Sequence, residues 1–191
     1  MSNAKTFVHN IAPDAANRAE HDFYRTGAIA VEKLLAVEKL EGKIWEPACG
    51  DGAISRVLEA HGLKVHSTDL IDRGYGTGGV DFLRPRTVSF PTVSCVITNP
   101  PFKLAQQFAA RALDVAEKKV LLLCRTLWLE GGKRGEFFRR CPPARVWVFS
   151  NRIPMQRAGW EPVKENQTGM MSFSWFVWDQ EHVGKTELDW L

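Results

Sequence analysis

Short apolar runs alternate with helix-spaced stretches along this chain, the rhythm of a parallel sheet built from crossover units. Over residues 25–40 the apolar positions Ile29, Val31, Leu34, Leu35 and Leu40 fall close to helical spacing, and Gly42 is a natural stop. Residues 43–46 read as a strand that enters a glycine-bearing turn at 48–52. A helix follows over 54–61, ended by Gly62, and 63–70 reads as a second strand. After a glycine-rich loop at 73–79, residues 91–98 predict a buried strand that Pro100 and Pro101 end abruptly. A helix over 104–118, an apolar strand over 119–124 and strands over 145–149 and 172–178 complete the pattern, the last two joined by a long loop over 150–171. A loop of that length in a compact domain is usually functional or mobile. The expected fold class is α/β: a single doubly wound, mostly parallel sheet with helices on both faces, forming one domain over 1–191.

Composition narrows the setting. The chain is 45% hydrophobic and 25% charged over 191 residues, which is ordinary globular composition. No apolar run approaches the roughly twenty residues of a membrane span, and residues 1–10 lack the basic-then-apolar order of a secretory leader, so a cytoplasmic protein is expected. Cys49, Cys95, Cys124 and Cys141 lie far apart, with no Cys-x-x-Cys and no histidine at ligand spacing, which argues for reduced thiols and against a metal site. Charge is uneven although the net is only +3: residues 103–160 hold twelve basic side chains against four acidic ones, so that segment is +8 and the rest of the chain −5. A polyanionic partner and a solvated helical face both account for such an asymmetry.

The first chemical signal is Glu46-Pro47-Ala48-Cys49-Gly50-Asp51-Gly52 between a strand and a helix, with Asp69 at the end of the next strand. Ligands of open parallel sheets sit at the carboxyl ends of strands, where glycines let the backbone approach closely, and Asp69 is placed to accept hydrogen bonds from ribose hydroxyls. A dinucleotide site would want a third glycine three residues after Gly52, and Ser55 stands there. Glu46 and Asp51 also crowd the turn with negative charge. That suits a cofactor without phosphates, and the sulfonium cation S-adenosylmethionine fits.

The second signal is Asn99-Pro100-Pro101-Phe102 at the end of a strand. An amino group conjugated to a ring is a poor nucleophile because its lone pair is delocalised. The side-chain oxygen of Asn99 and the carbonyl of Pro100 can each accept one N–H and so aim the lone pair at a methyl group, and positioning and desolvation then supply most of the rate. The prolines fix these acceptors, and Phe102 offers a face on which a planar substrate can stack.

Taken in order, the turn 46–52, Asp69, Asp81-Phe82 and 99–102 resemble the amino-methyltransferases of the class I Rossmann-like superfamily, particularly the adenine-N6 DNA methyltransferases of bacteria and phages. The resemblance covers about residues 22–180. It implies that Glu46, Ala48, Gly50 and Gly52 cradle the methionine end of S-adenosyl-L-methionine, that Asp69, with Leu70 beside it, serves the ribose, and that Asp81 with Phe82 serves the adenine. Asp22-Phe23-Tyr24-Arg25-Thr26 resembles the segment that covers the cofactor carboxylate in these enzymes, which implicates Phe23, Tyr24 and Thr26, although the usual following proline is Gly27 here. Asn99 is expected to touch cofactor as well as substrate.

Similar tetrapeptides occur in enzymes that modify guanine in ribosomal RNA and glutamine in release factors, and a module that binds without turnover is a further reading. The basic segment favours nucleic acid, with Arg139, Arg140, Arg152 and Arg157 as its expected contacts, and the ending Trp175-Phe176-Val177-Trp178 resembles phage-type enzymes that act on DNA. The catalytic sheet uses nearly the whole chain, so no separate target-recognition domain is expected, leaving 73–79 and 150–171 to contact sequence.

Overall fold

A computed structural model gives the fold, describing residues 24–84, 92–153, 155–157 and 171–191, with backbone alone at 156 and 157. Phe23 and the side chain of Arg157 therefore lie outside the described residues, as do Asp22 and much of the long loop. The elements are β1 (Tyr24–Arg25), α1 (Ala28–Leu35), β2 (Ile44–Glu46), α2 (Ala53–Ala60), β3 (Val65–Ser67), β4 (Val93–Thr98), α3 (Ala105–Val115), β5 (Ala116–Arg125), α4 (Gly132–Arg140), β6 (Arg145–Val148), β7 (Gln156–Arg157), β8 (Phe173–Asp179) and β9 (Glu187–Trp190). A seven-stranded sheet runs in the order β3-β2-β4-β5-β8-β6-β9, and β1 pairs with β7 in a separate two-stranded ribbon.

The sheet is mixed. β3, β2, β4 and β5 are parallel, β8 runs antiparallel to both β5 and β6, and β9 lies parallel to β6 at the edge. Alternation along the central strands splits the core in two. Val96, Val120, Leu122 and Phe176 pack with Ala105, Phe108 and Ala112 of α3 and Phe137 of α4, while Cys95, Ile97, Leu121, Leu123 and Trp175 pack with Val31 and Leu34 of α1 and Ile54 and Leu58 of α2. Helices thus cover both faces, which is why the central strands read as nearly continuous apolar runs. The doubly wound α/β expectation holds, with the antiparallel β8 as its refinement.

Several boundaries moved. The helix expected over 25–40 begins at Ala28 and ends at Leu35, because Tyr24–Arg25 pair with Gln156–Arg157 and because Glu38, only 3% exposed, turns inward. The helix expected over 104–118 gives way at Ala116, where the backbone becomes extended and β5 starts. Neither α4 nor β9 was expected: α4 buries only Phe137, and all of β9 is exposed, so neither carries a core stripe. All four cysteines are free thiols. Among the described residues no helix is long and apolar enough to cross a membrane, and no group of three potential metal ligands occurs.

Candidate active site

Parallel pairing brings the carboxyl ends of β2, β3, β4 and β5 to one edge of the sheet, and with them Glu46, Asp69, Asn99 and Arg125. A cleft opens there. The space between its walls, counted out to solvent, is about 830 Å³. Of the residues expected at a cofactor, Tyr24, Thr26, Glu46, Ala48, Asp69, Leu70, Asp81, Phe82 and Asn99 line it, as does Pro101.

Gly50 and Gly52 do not line the cleft; they shape the turn behind it. Gly52 adopts φ 84°, and a Cβ there would lie 2.6 Å from the Tyr75 ring, so both backbone and neighbour demand glycine. Tyr75 comes from the loop expected to contact sequence, but here it braces the turn: its hydroxyl donates to Glu59 at 2.9 Å, and the Arg56 guanidinium sits over its ring at 4.5 Å.

The turn is strongly acidic. Glu46 is 1% exposed and accepts from the Ser55 N–H at 2.9 Å and from the Ser55 hydroxyl, which also pairs with Ser67 at 2.7 Å. The serine at the third-glycine position is thus a donor to the acid. Burial pushes the Glu46 carboxyl well above the usual carboxylate range despite the Ser55 bonds, and the negative charges of Asp69 and Asp51 push it further. Glu46, Asp51, Asp69 and Asp81 line the cleft, against Arg25 and Arg73. Arg25 is paired with Asp51 at 3.0 Å, and Arg73 with Asp69 at 3.2 Å, so neither guanidinium is uncommitted for a phosphate. Cys49, also on the wall, is no nucleophile: burial pushes its thiol up to about 12, with Glu46 and Asp69 adding to the effect.

Asp69 is more heavily engaged than the sequence suggests. Its Oδ2 accepts from the Gly50 N–H at 2.8 Å, and its Oδ1 accepts from the Ile71 N–H at 2.8 Å as well as from Arg73. A carboxylate offers about four lone-pair sites, so ribose hydroxyls would share Oδ2 or displace Arg73. Phe82 forms an apolar wall, meeting Trp45 edge-on at 5.0 Å and Phe108 at 5.1 Å.

Asn99 closes the cleft. Its Nδ2 donates to the Tyr24 carbonyl at 3.1 Å and to the Thr26 hydroxyl at 3.2 Å. A backbone carbonyl can only accept, so the amide nitrogen must face Tyr24 and Oδ1 must point away. That Oδ1 is covered and has no partner among the described residues. Segment 24–26 therefore straps across the cleft, tied to the glycine turn through Arg25 and to the tetrapeptide through Asn99.

Two expectations for the tetrapeptide change. Phe102 and Pro100 do not line the cleft: Pro100 is buried, and Phe102 lies across a short 3-10 turn (Phe102–Leu104) that separates the cleft from a neighbouring groove. Nor is the expected stacking face of Phe102 open, because the Tyr24 ring lies nearly parallel on it, centroids 5.2 Å apart at 18°. The basic residues also divide. Lys118 pairs with Glu41, and Lys119 and Arg145 with Glu38 and Asp179. Arg139 and Arg140 are exposed at the far end of α4, beside Cys141, whose carbonyl accepts from Trp178 near the end of β8; that is the sheet edge opposite the cleft. Arg152, exposed, follows β6 on the cleft's edge, and the backbone of Arg157 pairs with Tyr24.

No family model and no curated protein matches the chain. Solved structures do. A protein assigned as a class I S-adenosylmethionine-dependent methyltransferase of Listeria monocytogenes is 16% identical over 86% of this chain and 64% of its own, with a TM-score of 0.53. One assigned as an RNA methyltransferase of Pyrococcus horikoshii is 13% identical over 85% of this chain and 90% of its own, with a TM-score of 0.62. A modification subunit assigned to a type I restriction enzyme of Vibrio vulnificus is 13% identical over 90% of this chain, TM-score 0.55, and the chain spans only 46% of it. The likeness establishes a methyltransferase-like Rossmann fold.

Proposed function

We propose that this protein transfers a methyl group from S-adenosyl-L-methionine to an exocyclic amino nitrogen, with adenine N6 in DNA as the acceptor. The observation that carries this reading is the Asn99 amide: its nitrogen is held by Tyr24 and Thr26, and its Oδ1 is left covered and unpaired beside the cleft. A buried acceptor without a partner costs on the order of 1–3 kcal/mol, and a substrate N–H would relieve that cost. The names of the similar structures support methyl transfer, and two of them are named for RNA or for a restriction enzyme.

The cleft fits the cofactor chemically. The cleft wall carries Glu46, Asp51, Asp69 and Asp81, an acidic excess that favours a cation, Arg25 and Arg73 are each paired with one of these acids, and Phe82 and Leu70 provide apolar cover for an adenine. When bound, the cofactor supplies an electrophilic methyl group on a positively charged sulfur. Asn99 accepts one amino N–H and thereby turns the lone pair out of conjugation. The 24–26 strap holds the Asn99 amide in register and limits water. The proton released after transfer passes to solvent, because an aromatic ammonium is acidic enough to need no side-chain base.

Tritiated cofactor incubated with DNA, RNA and protein acceptors tests the reading. Label recovered as N6-methyladenine from digested DNA is expected, and label on oxygen, carbon or a protein amide would overturn it. Asp69→Ala should weaken cofactor binding by about 1–3 kcal/mol, since it removes a charged acceptor and unhooks Gly50. Calorimetry on the folded variant decides that, and unchanged affinity would remove Asp69 from the site.

A further inference from the structure

Beyond the 3-10 turn at Phe102, a second groove runs along the same edge of the sheet. Phe102, Cys124 and Trp128 form its floor, and Lys103, Arg125 and Arg134 stand around it. These three cations reach it from separate elements: Lys103 from the turn after β4, Arg125 from the last position of β5 and Arg134 from the first turn of α4. Among the described residues none of the three has a carboxylate partner, in contrast to Lys118, Lys119 and Arg145. Among the described residues no acid lines the groove. Leu127, 54% exposed, also lines it.

We infer that this groove holds the phosphodiester backbone of the nucleic-acid strand that flanks the target base. The inference rests on the function proposed above and gives its substrate a path. Cations converging from three elements, with no carboxylate partner among the described residues, are complementary to a polyanion, and the half-exposed Leu127 in the same groove is complementary to the face of an unstacked base. Phe102 is shared: it lies in the groove, and its stacking partner Tyr24 lines the cofactor cleft. A base leaving the groove therefore reaches Asn99 by displacing the Tyr24 ring from Phe102. The cations of the sequence's basic segment that serve substrate are thus Lys103, Arg125 and Arg134, on the cleft's edge, while Arg139 and Arg140 face away from it.

Salt titrations of binding to fluorescent single strands, one of adenine-containing DNA and one of matching RNA, test the groove in the full chain. Each phosphate contact on a single strand contributes roughly 0.7 to the logarithmic salt slope, so the triple variant Lys103→Gln/Arg125→Gln/Arg134→Gln should lose about two units of slope. Arg139→Gln/Arg140→Gln should keep the parent's slope. Should the triple variant melt early, Lys103→Gln alone, at an exposed position, is expected to lose about 0.7. The tighter strand identifies the source. The groove assignment falls if the triple variant keeps the parent slope, if the Arg139/Arg140 variant loses it instead, or if the parent binds neither strand but captures a protein acceptor. Methyl transfer measured in parallel separates the two readings. Slope loss without any methyl transfer by the parent leaves the groove standing and sinks the proposed activity, whereas methylation with an unchanged KM for the triple variant does the reverse.

Discussion

Asn99→Ala should lower methyl transfer roughly 10²–10³-fold at saturating cofactor while binding of a nucleic-acid strand stays close to the parent's, the usual scale for removing one preorganised hydrogen bond to a transition state. The expected size follows from what the side chain does in the structure. Its Nδ2 is already satisfied by Tyr24 and Thr26, so alanine loosens the strap, but its Oδ1 has no partner among the described residues. Loss of the Nδ2 bonds is a stability and cofactor-affinity defect, read by melting and calorimetry. Loss of the Oδ1 acceptor is a rate defect that remains when cofactor saturates. Phe102→Ala should behave differently, because Phe102 touches Tyr24 and Phe173 and not the cofactor cleft. Its deficit should fall on capture of the base, about 1–3 kcal/mol, and ease on substrates whose target base is already unstacked. An Asn99→Ala protein that methylates every acceptor at the parent's rate would reduce the tetrapeptide to a turn.

The residues that were legible in the sequence are those whose signal is local. Glu46 to Gly52, Asp69 and 99–102 each sit at a strand's carboxyl end and carry their own turn chemistry, so spacing alone placed them on one edge. What the sequence could not show are meetings across long separations. Thr26 and Asn99 are 73 positions apart, and the Tyr24 ring on Phe102 depends on β1 pairing with β7, two residues inside a stretch that carries no strand pattern. The orientation of α4 was equally hidden. A count of basic residues weighs Arg134 and Arg140 alike, yet a helix running from one sheet edge to the other puts the first beside Phe102 and the second beside Cys141. Asp51 was legible as negative charge in the turn and Arg73 only as a loop residue, because their pairings with Arg25 and Asp69 are meetings across the fold.

Glu38 is where sequence pattern and structure disagree most, and Glu38→Gln should cost about 3–5 kcal/mol of stability, the range for removing one partner from a buried ion cluster. The helical reading of 25–40 does not count it among the apolar, inward positions. Instead it accepts from Lys119 at 2.8 Å, from Arg145 through Nε and Nη2, and from Trp147 Nε1 at 2.9 Å, while Arg145 and Lys119 also pair with Asp179. The cluster joins the α1 exit to β5, β6 and β8 at the edge away from the cleft. Glutamine leaves two cations with a single carboxylate, which is why the loss should exceed that of a surface pair. Acid should expose the same coupling. Burial raises the Glu38 pKa, but the bonds from Arg145, Lys119 and Trp147 outweigh it and hold the group below its ordinary 4.5. A carboxyl depressed in the folded state stabilises above its unfolded pKa, and that stabilisation is lost as pH falls through the folded value. Denaturant midpoints should therefore drop more steeply below pH 4.5 for the parent than for Glu38→Gln, which keeps the Asp179 share of the cluster. A loss under about 1 kcal/mol with an unchanged acid limb would mean the cluster behaves as an exposed pair. Because the cluster lies at the other end of the strands from Asn99, the folded variant should keep the parent's rate, which separates this defect from the one at the active site.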